Sequence, residues 1–145
     1  MEKELHSLTE VEAAAAGFTQ VLAPKDAGAT LVTLSGELGA GKTTFTQNVA
    51  KALGVDGAVT SPTFVLMKVY QLPKEASFKR LVHIDAYRLQ GGKELAPLGF
   101  DEVLHDKDNL VLLEWPEQVA DGLPEADYKL RLEVLSENSR KLIYG

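Results

Sequence analysis

The chain has 145 residues, which suits one domain, and 45% of them are hydrophobic, so it can bury a sizeable core. Lysine and arginine number 15 against 21 aspartates and glutamates, and the resulting net charge of −6 disfavours a protein that binds nucleic acid unaided. Cysteine is absent, which excludes disulfides and thiolate metal sites, and no apolar run is long enough to span a bilayer. A cytoplasmic location is therefore the default expectation.

The first half of the chain predicts a helix, a strand and a second helix. Residues 7–10 have the S-x-x-E form of a capping box, apolar residues follow at helical spacing, and Pro24 ends that pattern. Residues 31–35 then predict a short strand that leads directly into Gly36. A second apolar stripe begins at Lys42 and ends before Gly54, so a glycine-rich segment lies between a strand and a helix.

The second half is predicted to consist mainly of strands. The strands predicted at 64–70 and 78–84 form a hairpin, and the strand at 110–113 is buried. The strand at 128–134 alternates polar with apolar residues, and residues 141–144 are expected to pair with it. A weak helical pattern at 93–105 is interrupted by Pro97 and Gly99. These elements predict an α/β layer fold with a partly antiparallel sheet.

The glycine-rich segment matches the phosphate-binding pattern G-x-x-x-x-G-K-[ST] from Gly36 to Thr43. In such a loop successive backbone N–H groups surround phosphate oxygens, and side chains would block that approach. The pattern predicts that Lys42 reaches the β- and γ-phosphates and that the Thr43 hydroxyl ligates Mg²⁺. A glycine turn that precedes a lysine by coincidence is the weaker explanation, because a strand precedes the loop and a helix follows it.

A P-loop enzyme also needs a carboxylate at the end of a nearby strand. Glu114 follows the buried strand at 110–113, and Asp85 ends a second apolar run that is interrupted by His83. The spacing does not decide which carboxylate holds the metal and which orients water. His83 itself is interpreted as a core histidine.

Two further segments have plain interpretations when the residues are considered alone. Thr63, in Ser-Pro-Thr-Phe at 61–64, could sense a γ-phosphate, but a proline turn that leads into a strand is the favoured interpretation. Trp115, the single tryptophan, is expected to be a packing residue.

Four segments in a fixed order resemble the bacterial TsaE family of small ATPases, which are needed to make threonylcarbamoyladenosine in tRNA. The segments are GELGAGKTTF, TSPTF, HIDAYRL and EWPE, and the resemblance extends over roughly residues 7 to 135. The phosphate-binding pattern alone occurs in many families, whereas the four segments together are much more specific.

The resemblance implies a P-loop NTPase-like three-layer fold over residues 1–145, and it implies ATP and Mg²⁺ as ligands. Thr43 and Glu114 would bind Mg²⁺, and Asp85 would help to position the metal or the water. Thr63 would belong to a switch that orders around nucleotide, and Trp115 would help to couple hydrolysis to a partner, so the plain interpretations of both are reversed. The ATP phosphates would be held by Gly36, Gly39, Ala40, Gly41, Lys42, Thr43 and Thr44.

The resemblance also implies partners. The proteins TsaB and TsaD would be bound and reset between turnovers, and tRNA would be reached only through them, in keeping with the acidic charge. Where many members have a threonine in the first helix, this chain has Ala13 to Ala16, so the role of that threonine is not carried over. Arg140 is a weak candidate for a contact on the adenine side.

Two other functions remain as alternatives. A small-molecule kinase on the same scaffold usually brings several arginines onto the phosphates, but only four arginines are spread over this chain. A nucleotide-dependent binding switch of the GTPase type would carry an N-K-x-D segment for guanine, and the sequence has none.

Overall fold

The computed structural model describes residues 1–55 and 66–144. Within these ranges seven strands form one sheet: β1 (Glu2–Leu5), β2 (Thr30–Ser35), β3 (Met67–Gln71), β4 (Arg80–Asp85), β5 (Asn109–Glu114), β6 (Tyr128–Ser136) and β7 (Ser139–Tyr144). The α-helices are α1 (Leu8–Val21), α2 (Lys42–Leu53) and α3 (Phe100–Leu104). Two 3₁₀ segments cover Gly92–Leu98 and Pro116–Gly122.

The sheet is mixed, as the sequence predicts. Its strand order is β1-β7-β6-β2-β5-β4-β3, and β2 is parallel to both of its neighbours, β5 and β6. Strand β4 is also parallel to β5, whereas β3 pairs with β4, β7 with β6 and β1 with β7 in the antiparallel sense. The parallel centre places the carboxyl ends of β2, β4 and β5 along one edge of the sheet.

Apolar side chains cover both faces of the sheet and make three layers. On one face α1 and α2 pack through Phe18 and Phe45, whose ring centroids lie 6.4 Å apart. On the opposite face α3 and the two 3₁₀ segments pack through Leu95, Phe100 and Val119. Central strands therefore carry apolar residues on both sides, which explains the nearly continuous apolar runs in the sequence.

The ends of the helices follow local chemistry that the sequence displays. The backbone N–H of Glu10 donates to the Ser7 hydroxyl at 3.1 Å, which confirms Ser7 as the N-cap of α1. The predicted weak helix at 93–105 is two elements, the 3₁₀ segment that contains Pro97 and the short helix α3, with Gly99 between them.

Two strand predictions differ from the structure. Strand β1 is absent from the prediction because three of its four residues are exposed and only Leu5 is buried, so it has no apolar pattern. It forms through pairing with β7, which lies at the other end of the chain. The strand predicted at 64–70 begins at Met67 in the described residues, and residues 64 and 65 lie outside them.

Candidate functional site

The glycine-rich loop connects β2 to α2 at the edge where the parallel strands end. The Ala40 N–H donates to the Glu37 carbonyl at 3.1 Å, which closes a tight turn. Gly41 follows with φ 98°, in the left-handed region that residues other than glycine rarely adopt. Its conformation turns the chain into the first turn of α2, so the backbone geometry that the motif requires is present.

The start of α2 offers unsatisfied backbone donors. In the described residues no side chain caps this helix end, whereas α1 is capped by Ser7. The first N–H groups of a helix have no partner within the helix, and the helix dipole adds partial positive charge there. The loop and this helix end together have the donors and the charge that bind a phosphate group.

Lys42 is buried inside the loop, with only 6% of its surface exposed. Its Nζ donates to the Gly36 carbonyl and, at 2.9 Å, to the Glu37 carbonyl, and it lies 4.1 Å from the centroid of the Trp115 ring. Burial lowers the pKa of Lys42 from its ordinary value, and the carboxylate of Glu114, with others nearby, opposes that shift. The ammonium group is thus held ready inside the loop by carbonyl oxygens and an aromatic face.

The two candidate carboxylates, Asp85 and Glu114, end neighbouring parallel strands. They are direct neighbours in the register of β4 and β5 and lie side by side. Glu114 is only 2% exposed, and its Oε2 lies 2.5 Å from Nε2 of His83. Asp85 is less buried, and its Oδ1 accepts the backbone N–H of Tyr87 at 3.0 Å. The sheet therefore brings together the acids that the sequence places 29 residues apart.

Trp115 adopts an unusual backbone conformation, with φ 62° and ψ 52°. Among the described residues it is the one non-glycine residue with positive φ. Its backbone N–H donates to the Leu34 carbonyl at 3.3 Å, and its indole ring packs against Tyr87 with centroids 4.9 Å apart. A bulky residue held in this region is strained, and such strain is often found at functional sites.

One cavity of about 370 Å³ collects most of the predicted site residues. It is lined by Leu38, Gly39, Gly41, Lys42, Thr43, Thr44, Asp85, Tyr87, Glu114 and Trp115. Gly36 and Ala40 belong to the loop but do not line this cavity. Thr63 lies outside the described residues.

The residues of this cavity fit a magnesium ion. Mg²⁺ is usually held by one or two carboxylates, hydroxyl groups, waters and substrate phosphates, and seldom by a cage of protein ligands alone. In residues 1–55 and 66–144 no cluster of three or more histidine, aspartate or glutamate side chains could form such a cage. Thr43 and the buried Glu114 face the same cavity and match the open type of site.

A second cavity, of about 330 Å³, lies on the other side of the loop. It is formed by the start of α1, by Gly41 and Thr44 of the loop region, and by the turn between β6 and β7. Arg140 closes one wall, because its Nη2 donates to the Gly39 carbonyl at 3.2 Å. Sequence reasoning found Arg140 only as a weak candidate, since no local pattern shows that the two ends of the chain meet beside the loop.

The sequence analysis did not predict two contacts at the site. Tyr87 packs on Trp115, and His83 contacts Glu114. The prediction that His83 is a core residue is confirmed by its complete burial. The sequence held a signal for the contact between His83 and Glu114. Residues 83 and 85 are two apart on one strand, so His83 points to the same face of the sheet as Asp85, the candidate acid that pairs with Glu114.

The glycine loop between a parallel strand and a helix, in an α/β fold with a mixed sheet, defines a P-loop protein. The fold is similar to that of a crystal structure of YdiB from Bacillus subtilis, with a TM-score of 0.76 and 26% sequence identity. The match covers 99% of this chain and 83% of the other. Among the described helices, none is long and apolar enough to cross a membrane.

Residues 5–142 match the family model described as threonylcarbamoyl adenosine biosynthesis protein TsaE. A TsaE protein of Rickettsia prowazekii is 37% identical over 137 residues, which cover 94% of this chain and 88% of the relative. One from Streptomyces coelicolor is 48% identical over 104 residues, which cover 71% and 68%. The chain belongs to the TsaE family, whose proteins act in the biosynthesis of the tRNA modification threonylcarbamoyladenosine.

Proposed function

We propose that this protein binds ATP with Mg²⁺ and hydrolyses it, and that it acts with TsaB and TsaD to support turnover of the transferase that they form. The observation that carries the proposal is the cavity that joins the start of α2, Lys42, Thr43 and two strand-end carboxylates. Donors for phosphate oxygens and two acids line this one cavity. That combination of donors and acids suits a magnesium-bound phosphate chain.

Lys42 and the loop amides bind the β- and γ-phosphates in this proposal. Because the Lys42 ammonium is hydrogen-bonded to two loop carbonyls, it is already held inside the glycine-rich loop before nucleotide binds. Phosphate oxygens then compete with those carbonyls for its protons. Little side-chain entropy is lost on binding, because the side chain is already ordered.

Thr43 and Glu114 would hold Mg²⁺, which would supply positive charge to the phosphate oxygens. Glu114 is the better metal candidate of the two acids, because it is buried and faces the end of the strand before the loop. Asp85 is less buried and directly opposite Glu114, so it is the candidate to orient water. The two acids thus have separate roles.

In this proposal the nucleoside binds in the second cavity, beside the phosphates. It shares Gly41 and Thr44 with the phosphate cavity, and most of its remaining lining comes from apolar residues such as Leu8, Val11 and Phe45. An apolar pocket with a few polar groups is the usual environment of a purine ring. Arg140, fixed against the loop, forms its polar wall.

Hydrolysis assays with two lysine variants of the same helix test this proposal. Lys42→Ala removes the ammonium group from the glycine-rich loop. We expect the ATPase rate to fall by at least about 100-fold, with or without TsaB and TsaD. Lys51→Ala is the matched control, because that lysine lies in the last turn of α2 and pairs at the surface with Glu12 at 3.1 Å. Equal rates in the two variants would contradict the proposal.

A pull-down assay tests the partners separately. The purified protein should be retained by TsaB and TsaD, and Lys42→Ala should alter any dependence of that retention on nucleotide. Failure of the folded wild type to associate with TsaB and TsaD, with or without ATP and Mg²⁺, would contradict the proposed partners and leave the ATPase assignment standing.

A further inference from the structure

His83 makes a contact that neither the phosphate-binding loop nor the metal assignment uses. It lies on β4, is completely buried, and its Nε2 is 2.5 Å from Oε2 of Glu114 on β5. In the register of these strands His83 lies beside Leu112, and Asp85 lies beside Glu114. His83 therefore reaches diagonally toward the end of the neighbouring strand, to the carboxylate that lines the phosphate cavity.

The hydrogen-bond partners of the ring assign its proton. Within residues 1–55 and 66–144, Nδ1 of His83 has no hydrogen-bond partner. A proton on Nδ1 would be buried without an acceptor, which is costly. We therefore place a proton on Nε2, which donates to Oε2 of Glu114.

We propose that His83 is a positioning residue that fixes the Glu114 carboxylate for the metal. The inference rests on the proposed function, in which Glu114 holds Mg²⁺. The Nε2–H group takes up one carboxylate oxygen, Oε2, and leaves Oε1 for the cavity.

Packing supports the positioning role. His83 is held on both sides within the sheet, since its strand pairs with β3 at Lys68 and with β5 at Leu112. Its neighbour on the same face of β4, Leu81, is also fully buried. A ring enclosed in this way has few accessible rotamers, so its hydrogen bond sets the orientation of the carboxylate. Loss of such a partner to a metal-binding carboxylate typically weakens metal binding or activity by 10- to 100-fold.

Two polar variants separate this role from simple space filling. In His83→Gln the amide nitrogen replaces Nε2 at a similar reach, whereas in His83→Asn the donor ends one carbon short of Glu114. The affinity for a non-hydrolysable ATP analogue is measured first in EDTA and then over a series of free Mg²⁺ concentrations. The Asn variant should bind the analogue in EDTA within about 3-fold of wild type, yet need about 10-fold or more Mg²⁺ for half of the magnesium effect.

The Gln variant should have a Mg²⁺ midpoint close to that of wild type. In hydrolysis assays at limiting Mg²⁺, the Asn variant should lose more in kcat than in KM. Leu81→Ala is the control for lost stability, because it weakens the same face of β4 without touching Glu114, and its midpoint should equal that of wild type. A wild-type midpoint in His83→Asn would overturn the inference. Equal impairment of the Gln and Asn variants, both folded, would also overturn it.

The same measurements separate the two proposals. Wild-type protein that binds no analogue with or without Mg²⁺ would contradict the proposed function itself. Wild-type protein that binds the analogue with a clear magnesium effect, which His83→Asn fully retains, would contradict only the positioning role.

Discussion

At the scale of single residues, the environment of Lys42 has a consequence for stability. Burial lowers the pKa of Lys42 in the folded protein, so between that pKa and the ordinary lysine value of about 10.4 the unfolded chain binds more protons. The free energy of unfolding gains from this residue as pH rises through that window. Below the window the unfavourable contribution of Lys42 is present in full and does not change with pH.

Lys42→Met tests this sign. Without nucleotide, we expect the free energy of unfolding of the wild type, relative to that of the variant, to be constant near neutral pH and to rise in the alkaline window. Urea unfolding at a series of pH values measures the difference, and subtraction removes the titration of all other groups. A difference that falls as the solution becomes more alkaline would contradict the lowered pKa.

Trp115 is the second residue whose conformation gives a testable energy. In the left-handed region a side chain costs about 1–2 kcal/mol, and glycine avoids that cost. Both Trp115→Ala and Trp115→Gly lose the ring contacts with Tyr87 and Lys42. The glycine variant should therefore be more stable than the alanine variant by about 1 kcal/mol in urea unfolding, and the reverse order would show that this backbone conformation is not retained.

At the scale of elements, the close approach of the loop to β6 requires glycine at residue 36. Gly36 has φ 150°, and a Cβ at this residue would come within 2.6 Å of the Leu132 carbonyl. Gly36→Ala should move the loop away from β6, destabilise the protein by about 1–3 kcal/mol through the steric clash, and weaken nucleotide binding. Thermal unfolding and a binding titration measure the two effects.

Gly17→Ala in α1 is the matched control. Gly17 is exposed, and a Cβ there would meet no atom within 4 Å in the described residues. Alanine favours a helix more than glycine does, so this change should stabilise the protein by about 0.5–1 kcal/mol and leave nucleotide binding unchanged. If Gly36→Ala and Gly17→Ala changed stability and nucleotide binding by the same amounts, the contact between the loop and β6 would not explain the effect of Gly36→Ala.

Local chemistry explains which elements could be predicted from the sequence. The capping box at Ser7, the glycine loop and the apolar run before Glu114 each carry their own signal within a few residues. Strand β1 has no such signal and forms only because β7 offers a partner, and the helical turns after Trp115 were likewise not predicted. Propensity cannot reveal an element that exists through long-range pairing.

At the scale of the whole molecule, the strand order determines the site. Parallel pairing of β4 with β5 and of β5 with β2 brings Asp85, Glu114 and the glycine loop to one edge. The residue pattern predicted each of these parts, but spacing alone did not choose between the two acids, and only the resemblance assigned the metal to Glu114. The burial on which the proposed assignment rests depends on the packed sheet. The cavity beside Arg140 was beyond prediction for the same reason, since it joins the two ends of the chain.

The charge of the whole chain gives a prediction about tRNA. A net charge of −6 and only four arginines disfavour binding of nucleic acid by the isolated protein, because such binding normally uses a basic surface. Fluorescence anisotropy with labelled tRNA at physiological salt should show no saturable binding to the protein alone, at concentrations where addition of TsaB and TsaD gives a complex. Saturable micromolar binding by the isolated chain would contradict this expectation.

The central claim is that the backbone donors of the glycine loop and Lys42 bind the phosphates of ATP. Isothermal titration of the purified protein with a non-hydrolysable ATP analogue and Mg²⁺ tests it most directly, with Lys42→Ala and Lys51→Ala in parallel. We expect saturable binding at one site per chain in the wild type and in Lys51→Ala, and a loss of affinity of at least about 100-fold in Lys42→Ala. An absence of heat and saturation in the folded wild type, with the ATP analogue and with GTP, would contradict the claim.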